Sequence, residues 1–542
     1  MQNHPPYLQP HFKTTHTIRT TVHRYIYLTL LIGLVISMTT SVFLTNLCWV
    51  LLLVNWVVEW NWKEKASALK QSHLLQAFLI LALVHVLGLL ITQNMEYALF
   101  DMQKKLPLLV IPLVVLTTPP LKPRERTAVA TAYCATVFVV SVVGLVRYLT
   151  IPDLPYRNIV PHISHIRFGL NVCLTLFIIA YAAFKLRRPG IIIAASVVSL
   201  WFVAFLFLLH AYTAFIILGI TVVVLLFAYR RRMSKRLFNI AALSVGAIIA
   251  ATAVLAFCYT YDYYHLRPLS TQTPPACTVN GNPYLHLSDD LIENGNYVHL
   301  YVCEKEMRQE WNKLSDYPFD SLTPTGYTIY PALLRYLGAM GLTKDSLGMT
   351  HLQPNDIYAI EKGIANPVYL QPGPRKLFYV LFYEFENYRC FHNVSNFSLL
   401  QRFELWQHAW RAFLQHPLYG VGTGDAVEAL HQQLEASDSP LANNGMHTHN
   451  QYLNFLLAFG LLGFLLIIIF FYRAIRRGRL CMNPLFTAVL CIILISFTSE
   501  DTLETLAGIT FVALGLTLLA FHTSPSHTPS PHPQKTCTNT TH

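Results

Sequence analysis

The stretch His447-Thr-His-Asn-Gln-Tyr-Leu453, which continues through Leu456-Leu-Ala-Phe-Gly-Leu-Leu-Gly463, carries a polar loop into a long apolar run. Two imidazoles and a carboxamide stand at the point of entry. The run beyond them is about 20 residues long, enough for a helix to cross a bilayer. Working outward, similar runs begin near Tyr25, Leu47, Leu74, Leu106, Thr127, Phe168, Ile191, Tyr212 and Phe238, and again near Leu485 and Leu506. Together these predict an all-α, polytopic membrane bundle of about twelve transmembrane helices. The second and fourth are the weakest, being short or bounded by proline.

Composition agrees. Of 542 residues, 54% are hydrophobic and 12% charged, against about 25% charged in soluble domains. The net charge of +11 does not point to nucleic acid, because the basic residues form short clusters between apolar runs. No small-residue cleavage site follows the run Tyr25–Leu44, so it reads as a retained span and not as a signal peptide.

The basic clusters set the expected sidedness. Eighteen Lys and Arg fall in five alternate connections, among them Lys63, Lys122, Arg187, Arg231 and Arg476. The opposite short connections hold only Lys104, Lys105 and Arg157, with Arg147 and Arg167 at span ends. The expected order is a cytoplasmic N-terminus (1–24), nine spans (25–261), one large external loop (262–449), three spans (450–522) and a disordered cytoplasmic tail (523–542). The loop is long enough for a small folded domain. Its first part is rich in Pro, Tyr, Asn and Gly, and predicts irregular structure with short helices such as Asp316–Met340. Its last part is an amphipathic helix, because Leu399, Phe403, Trp406, Trp410, Phe413 and Leu414 recur at helical spacing before Pro417 ends it. Cys277, Cys303 and Cys390 leave room for one loop disulfide if the loop faces an oxidising compartment. No Cys-x-x-Cys occurs, so no zinc site is expected. Asn393-Val-Ser395 and Asn396-Phe-Ser398 match the glycosylation pattern, which arises easily by chance.

His449 is the leading candidate for chemistry. A neutral imidazole at a bilayer surface accepts a proton near pH 7; the alternative is an interfacial His that hydrogen-bonds the loop. His447 shares the setting, and Asn450 and Tyr452 lie in register with it. Arg402 on the amphipathic helix suits bidentate binding of phosphate, or is an ordinary interfacial Arg. Arg167 either contacts a headgroup phosphate or snorkels to the interface. The turn Pro417-Leu-Tyr-Gly-Val-Gly-Thr-Gly-Asp425 offers the amides of Gly422 and Gly424 to phosphate, with Asp425 and Glu428 reading as a capping-box variant. Glu500, Asp501 and Glu504 read as caps of the final helix and not as a metal site.

Arg402-x-x-x-Trp406, His416-Pro-Leu-Tyr-Gly-Val-Gly-Thr-Gly-Asp425, His449-Asn-Gln-Tyr-Leu453 with Gly460-x-x-Gly463, and the late Ser499-Glu-Asp-Thr-Leu503 together resemble the O-antigen ligase and polymerase superfamily, in its Bacteroidetes-type form. The resemblance implies a glycosyltransferase of the bacterial inner membrane with its active site facing the periplasm. The implied donor is an undecaprenyl-diphosphate-linked glycan. The acceptor is lipid A core for a ligase, a second repeat unit for a polymerase, or a protein hydroxyl for related oligosaccharyltransferases. It implies no cofactor and no metal, with His449 as general base and Arg402 as the diphosphate-binding cation. The chain departs from the pattern at His210-Ala-Tyr212-Thr213, where the family often carries an Arg; Arg167 is a candidate replacement. A lipid-linked oligosaccharide flippase is the rival class, disfavoured because ionisable groups collect at the external mouth and not within the spans.

Overall fold

The computed structural model describes residues 18–520 apart from 153, 288–290, 324, 325, 327, 372, 393, 395, 396, 443 and 444. The expected tail 523–542, both glycosylation patterns and most of the N-terminal segment lie outside the described residues. The chain forms two compact units. One comprises Met1–Tyr229, His408–Glu435 and Gly445–His542; the other comprises Arg230–Gln407 and Ala436–Asn444.

The protein is all-α and polytopic. A helix occupies each of the twelve expected positions. Among the described residues, six are long and apolar enough to cross a membrane, from Arg19–Ser37 to Gln451–Arg477. The pair Val42–Val58 and Trp62–Gln71, bent by 116°, makes a seventh if it is one span. Four more apolar helices are shorter, including His73–Gly88 and Leu506–Leu519. Met95–Thr117 has the length but begins with Glu96, Asp101, Lys104 and Lys105. Twelve crossings therefore remains an expectation for the shorter helices.

In the first unit, the long helix Gln451–Arg477 is broken at Gly460, where φ is +62°. Breaking a helix frees backbone donors that must find acceptors when buried. The turn at 417–422 supplies them: Leu461 N–H donates to Pro417 O at 2.8 Å and Leu462 N–H to Leu418 O at 3.1 Å. In return Val421 and Gly422 N–H donate to Leu457 O and Ala458 O. A Cβ on Gly460 would lie 2.4 Å from the Leu418 carbonyl, so only glycine allows the approach.

The second unit contains the helix Lys235–Tyr264 and a loop domain whose core is Trp311, Leu333, Tyr336, Leu337, Met307 and Ile360, all fully buried. Ile292–Glu293 and Asn296–Tyr297 form a two-stranded hairpin. Asn294 and Gly295, both at positive φ, make the two-residue turn such hairpins favour. The helix expected over Asp316–Met340 starts only at Ile329, because Pro318 and Gly326 interrupt the chain before it. The amphipathic helix forms over Ser398–Gln415, but the stripe is only partly covered. Leu405, Ala409 and Ala412 are buried, whereas Phe403, Trp410 and Leu414 stay exposed. Among the described residues, Cys277 is exposed and Cys303 is buried, and neither forms a disulfide.

Candidate functional site around His449 and Asp501

His449 is the residue before a helix N-cap, and its backbone is left-handed at φ +48°. The cap is Asn450, whose Oδ1 accepts from the N–H groups of Tyr452 (3.0 Å) and Leu453 (3.1 Å). Its Nδ2 donates to Thr498 O. Asn450, a candidate substrate-binding residue from the sequence, is thus hydrogen-bonded at both ends of its carboxamide within the protein. Tyr452 is likewise tied down, its hydroxyl donating to Leu494 O at 2.8 Å. These bonds fix the backbone register at the start of the helix, next to His449.

The same motif grips the late Ser499–Leu503 segment. Gln451 is fully buried, its N–H donates to Phe497 O, and its Oε1 accepts from Leu503 N–H at 2.8 Å. Asn454 Nδ2 donates to Glu504 Oε1 at 2.8 Å. This clamp delivers Asp501, which is 4% exposed, to the imidazoles. One Asp501 oxygen lies 3.7 Å from His449 Nδ1 and 3.8 Å from Arg167 Nη2; the other lies 3.9 Å from His447 Nδ1. His449, His447 and Arg167 are therefore brought together around one carboxylate. The expectation that the acids only cap the final helix is corrected, since that cap is Thr505, which accepts from Gly508 N–H.

Beneath Asp501 lies a second group of charges that sequence reasoning passed over. Lys105 Nζ bonds Asp101 Oδ2 at 2.7 Å and Glu504 Oε1 at 3.0 Å, and Lys104 reaches Asp101 at 3.7 Å. Burial by itself raises the Glu504 carboxyl, but the Lys105 ammonium and its hydrogen bond outweigh that and hold it well below the ordinary carboxylate range. Lys105, Glu504, His447, Asn454, Tyr97 and His85 line a narrow cleft of about 20 Å³. The signal for this group was one of spacing: Asp101 and Lys105 stand at i, i+4 just before an apolar run.

The glycine-rich turn plays another part than the one expected. The Gly422 amide donates to Ala458 O and the Gly424 amide to Thr92 Oγ1 at 3.2 Å, so neither is offered to phosphate. A Cβ on Gly422, where φ is +102°, would meet Thr92 Oγ1 at 2.4 Å, and one on Gly424 would meet Asn94 O at 2.4 Å. These glycines let two backbones approach. The Asp425 carboxylate accepts from Gln93 N–H (2.6 Å) and Asn94 N–H (2.8 Å), just ahead of the helix that begins at Met95.

Arg402 is half-buried on Ser398–Gln415, in the second unit. His210, at the position where the resemblance would place an Arg, stacks on Tyr156 at 4.9 Å.

One nitrogen of His449 and carboxylate oxygens of Glu500 and Asp501 lie within 4.8 Å of one another, a donor set that a small cation could use. The Arg167 guanidinium faces the same Asp501 oxygen as His449 does, which places a competing positive charge there.

Residues 376–468 match the family model described as O-antigen ligase, a span that includes Arg402, the glycine-rich turn and His449. Among curated proteins none matches. The match supports a glycosyltransferase of the ligase and polymerase family, and the apolar helices suit a multi-pass protein of the bacterial inner membrane. Over residues 376–468 the chain is thus similar to O-antigen ligases, which supports the superfamily its motifs resemble.

Proposed function

We propose that the protein transfers a glycan from undecaprenyl diphosphate to a hydroxyl acceptor at the periplasmic face of the inner membrane, with lipid A core as the leading acceptor. The observation that carries this reading is the approach of His449 to Asp501, within and beside the matched domain. In the proposed step His449 Nε2 takes the acceptor proton as the acceptor oxygen forms its bond to the anomeric carbon. The bond from that carbon to the diphosphate oxygen breaks, and the electron pair leaves with the diphosphate. Diphosphate is a good leaving group, so the site need only supply a base and bind growing negative charge.

Asp501 holds Nδ1 of His449 and stabilises the imidazolium, the part a carboxylate plays toward a histidine base. Apo distances of this kind are often longer than hydrogen bonds and tighten with substrate bound. Arg402 is the proposed diphosphate-binding cation, its planar fork suiting two phosphate oxygens. Arg167 is assigned to Asp501, whose charge it balances, and His447 to the mouth of the cleft. Polymerisation of repeat units and transfer to protein use the same chemistry and differ only in the acceptor.

The test is a lipopolysaccharide gel of a deletion strain complemented with the wild type or with His449→Ala. Bare core with accumulated long lipid-linked glycan supports the ligase. Core capped by a single repeat assigns the polymerase, and an unchanged ladder with lost protein glycosylation assigns the third acceptor. Normal surface glycan with abundant His449→Ala protein would overturn the reading.

A further inference from the structure

A second basic cleft lies at the end of the helix Pro123–Thr150, in the connection to His165–Leu186. It is an open groove of about 430 Å³, and Arg147, Arg157, Asn158, His162 and Ser164 are among its walls. This connection is on the side where basic residues are otherwise scarce, so two arginines converging there are not explained by the charge bias that orients spans. In sequence, 147–167 carries Arg147, Arg157, Arg167 and two imidazoles against a single carboxylate, Asp153, which lies outside the described residues.

The walls are built and not merely exposed loop. Ile159, Val160 and Ile163 are buried beneath them, and Pro155 and Pro161 restrict the chain. Tyr156 is pinned by His210 and, edge-on at 5.4 Å, by His165. Arg147 Nη2 donates to Asn158 O at 3.3 Å, across to the opposite wall and not back to its own helix end. Its Nε is buried with no hydrogen-bond partner. A guanidinium NH left without an acceptor is costly unless a ligand supplies one. Among the described residues no carboxylate stands at ion-pair distance from Arg147 or Arg157.

We propose that this cleft binds the phosphate of a lipid phosphate ester, with Arg147 and Arg157 as donors and His162 at the rim. Arginine forks match phosphate oxygens, and a helix end at the membrane surface meets phosphate at headgroup depth. The source is either the polyprenyl diphosphate or an anionic glycerophospholipid. The inference does not depend on the transfer reading, because it is read by binding alone.

The full chain is placed in phosphatidylcholine nanodiscs, and affinity for undecaprenyl diphosphate is measured. In parallel, native mass spectrometry counts phosphatidylglycerol retained from mixed-lipid nanodiscs. Arg147→Gln/Arg157→Gln should lose roughly tenfold or more in one of the two, with Arg231→Gln, an exposed arginine of another connection, unchanged in both. Loss in the first assay assigns the polyprenyl carrier, and loss in the second assigns the headgroup. Should the double variant fail to fold, Arg157→Gln alone, at an exposed position, should still weaken binding several-fold. Unchanged binding in both assays would overturn the proposal.

Discussion

Asp501 places one carboxylate oxygen 3.7 Å from Nδ1 of His449 and 3.8 Å from Nη2 of Arg167. In the proposed reaction, a carboxylate beside Nδ1 would favour the charged ring once a proton has been taken. Asp501→Asn keeps the shape and removes the charge. Transfer by the purified protein should fall roughly a hundredfold or more with little change in its abundance. Because both residues act in one step, Asp501→Asn added to His449→Ala should cost nothing further. Additive losses in that double variant would separate the two residues.

How much of this was legible in the sequence depended on range. The spans announce themselves, because hydropathy is a local property, and so does the entry motif at His449. Asp501 was read as a helix cap because its partners become neighbours only when Gln451 and Asn454 fasten the 500–504 turn. Gly422 and Gly424 were read as phosphate binders because a glycine-rich turn before a helix has two uses, and only the neighbouring backbone at Gly88–Asn94 decides between them. The loop core around Trp311 and Tyr336 was invisible because its short helices are separated by proline and show no sustained period.

Lys105 lies between Asp101 and Glu504, all three largely removed from solvent. Removing one partner of a buried pair strands the other, typically at about 3–5 kcal/mol. Lys105→Met should therefore lower the unfolding temperature sharply in detergent. Lys105→Met/Glu504→Gln should recover part of the loss, since one of the two stranded carboxylates is gone and Lys104, 3.7 Å from Asp101, still faces the other. A double variant as unstable as the single would show that the ammonium serves packing and not charge balance.

Gly422 tests the reading of the glycine-rich turn. Gly422→Ala adds a methyl group where φ is +102° and where Thr92 Oγ1 and the Gly88 carbonyl already lie at 2.4 and 2.9 Å. Strain of the backbone alone costs about 1–3 kcal/mol, so folded yield and melting temperature should both drop. Gly190→Ala, with no atom within 4 Å of the added Cβ, is the control and should melt as the wild type does. Should Gly422→Ala instead melt normally and lose donor affinity, the turn would be a phosphate site after all.

Glu384, on the helix Pro374–Phe391 of the second unit, predicts a pH effect. Burial raises its carboxyl to about 7 against a smaller opposing pull from the Leu399 N–H. A folded value above the unfolded one, near 4.5, means the folded chain keeps a proton that the unfolded chain releases. Its contribution to stability is complete below about pH 4.5 and is lost as pH rises through about 7. Melting temperature followed from pH 5 to 8 should decline in the wild type, and the decline should be shallower in Glu384→Gln. Equal slopes would show that this carboxyl ionises freely in the fold.

The donor set formed by His449, Glu500 and Asp501 makes metal dependence a question of charge. A divalent cation bound to the shared Asp501 oxygen would sit close to the Arg167 guanidinium and would occupy the Nδ1 side of the proposed base. Repulsion between the two cations, little screened in a largely buried site, favours the arrangement in which Arg167 alone balances Asp501. Transfer by the purified protein should thus survive exhaustive EDTA treatment within about twofold, since no step of the proposed reaction passes through a metal. Arg167→Ala should lose activity that added magnesium or manganese does not restore. Loss of wild-type activity on chelation, regained with either ion, would transfer the role of Asp501 from orienting a base to holding a metal.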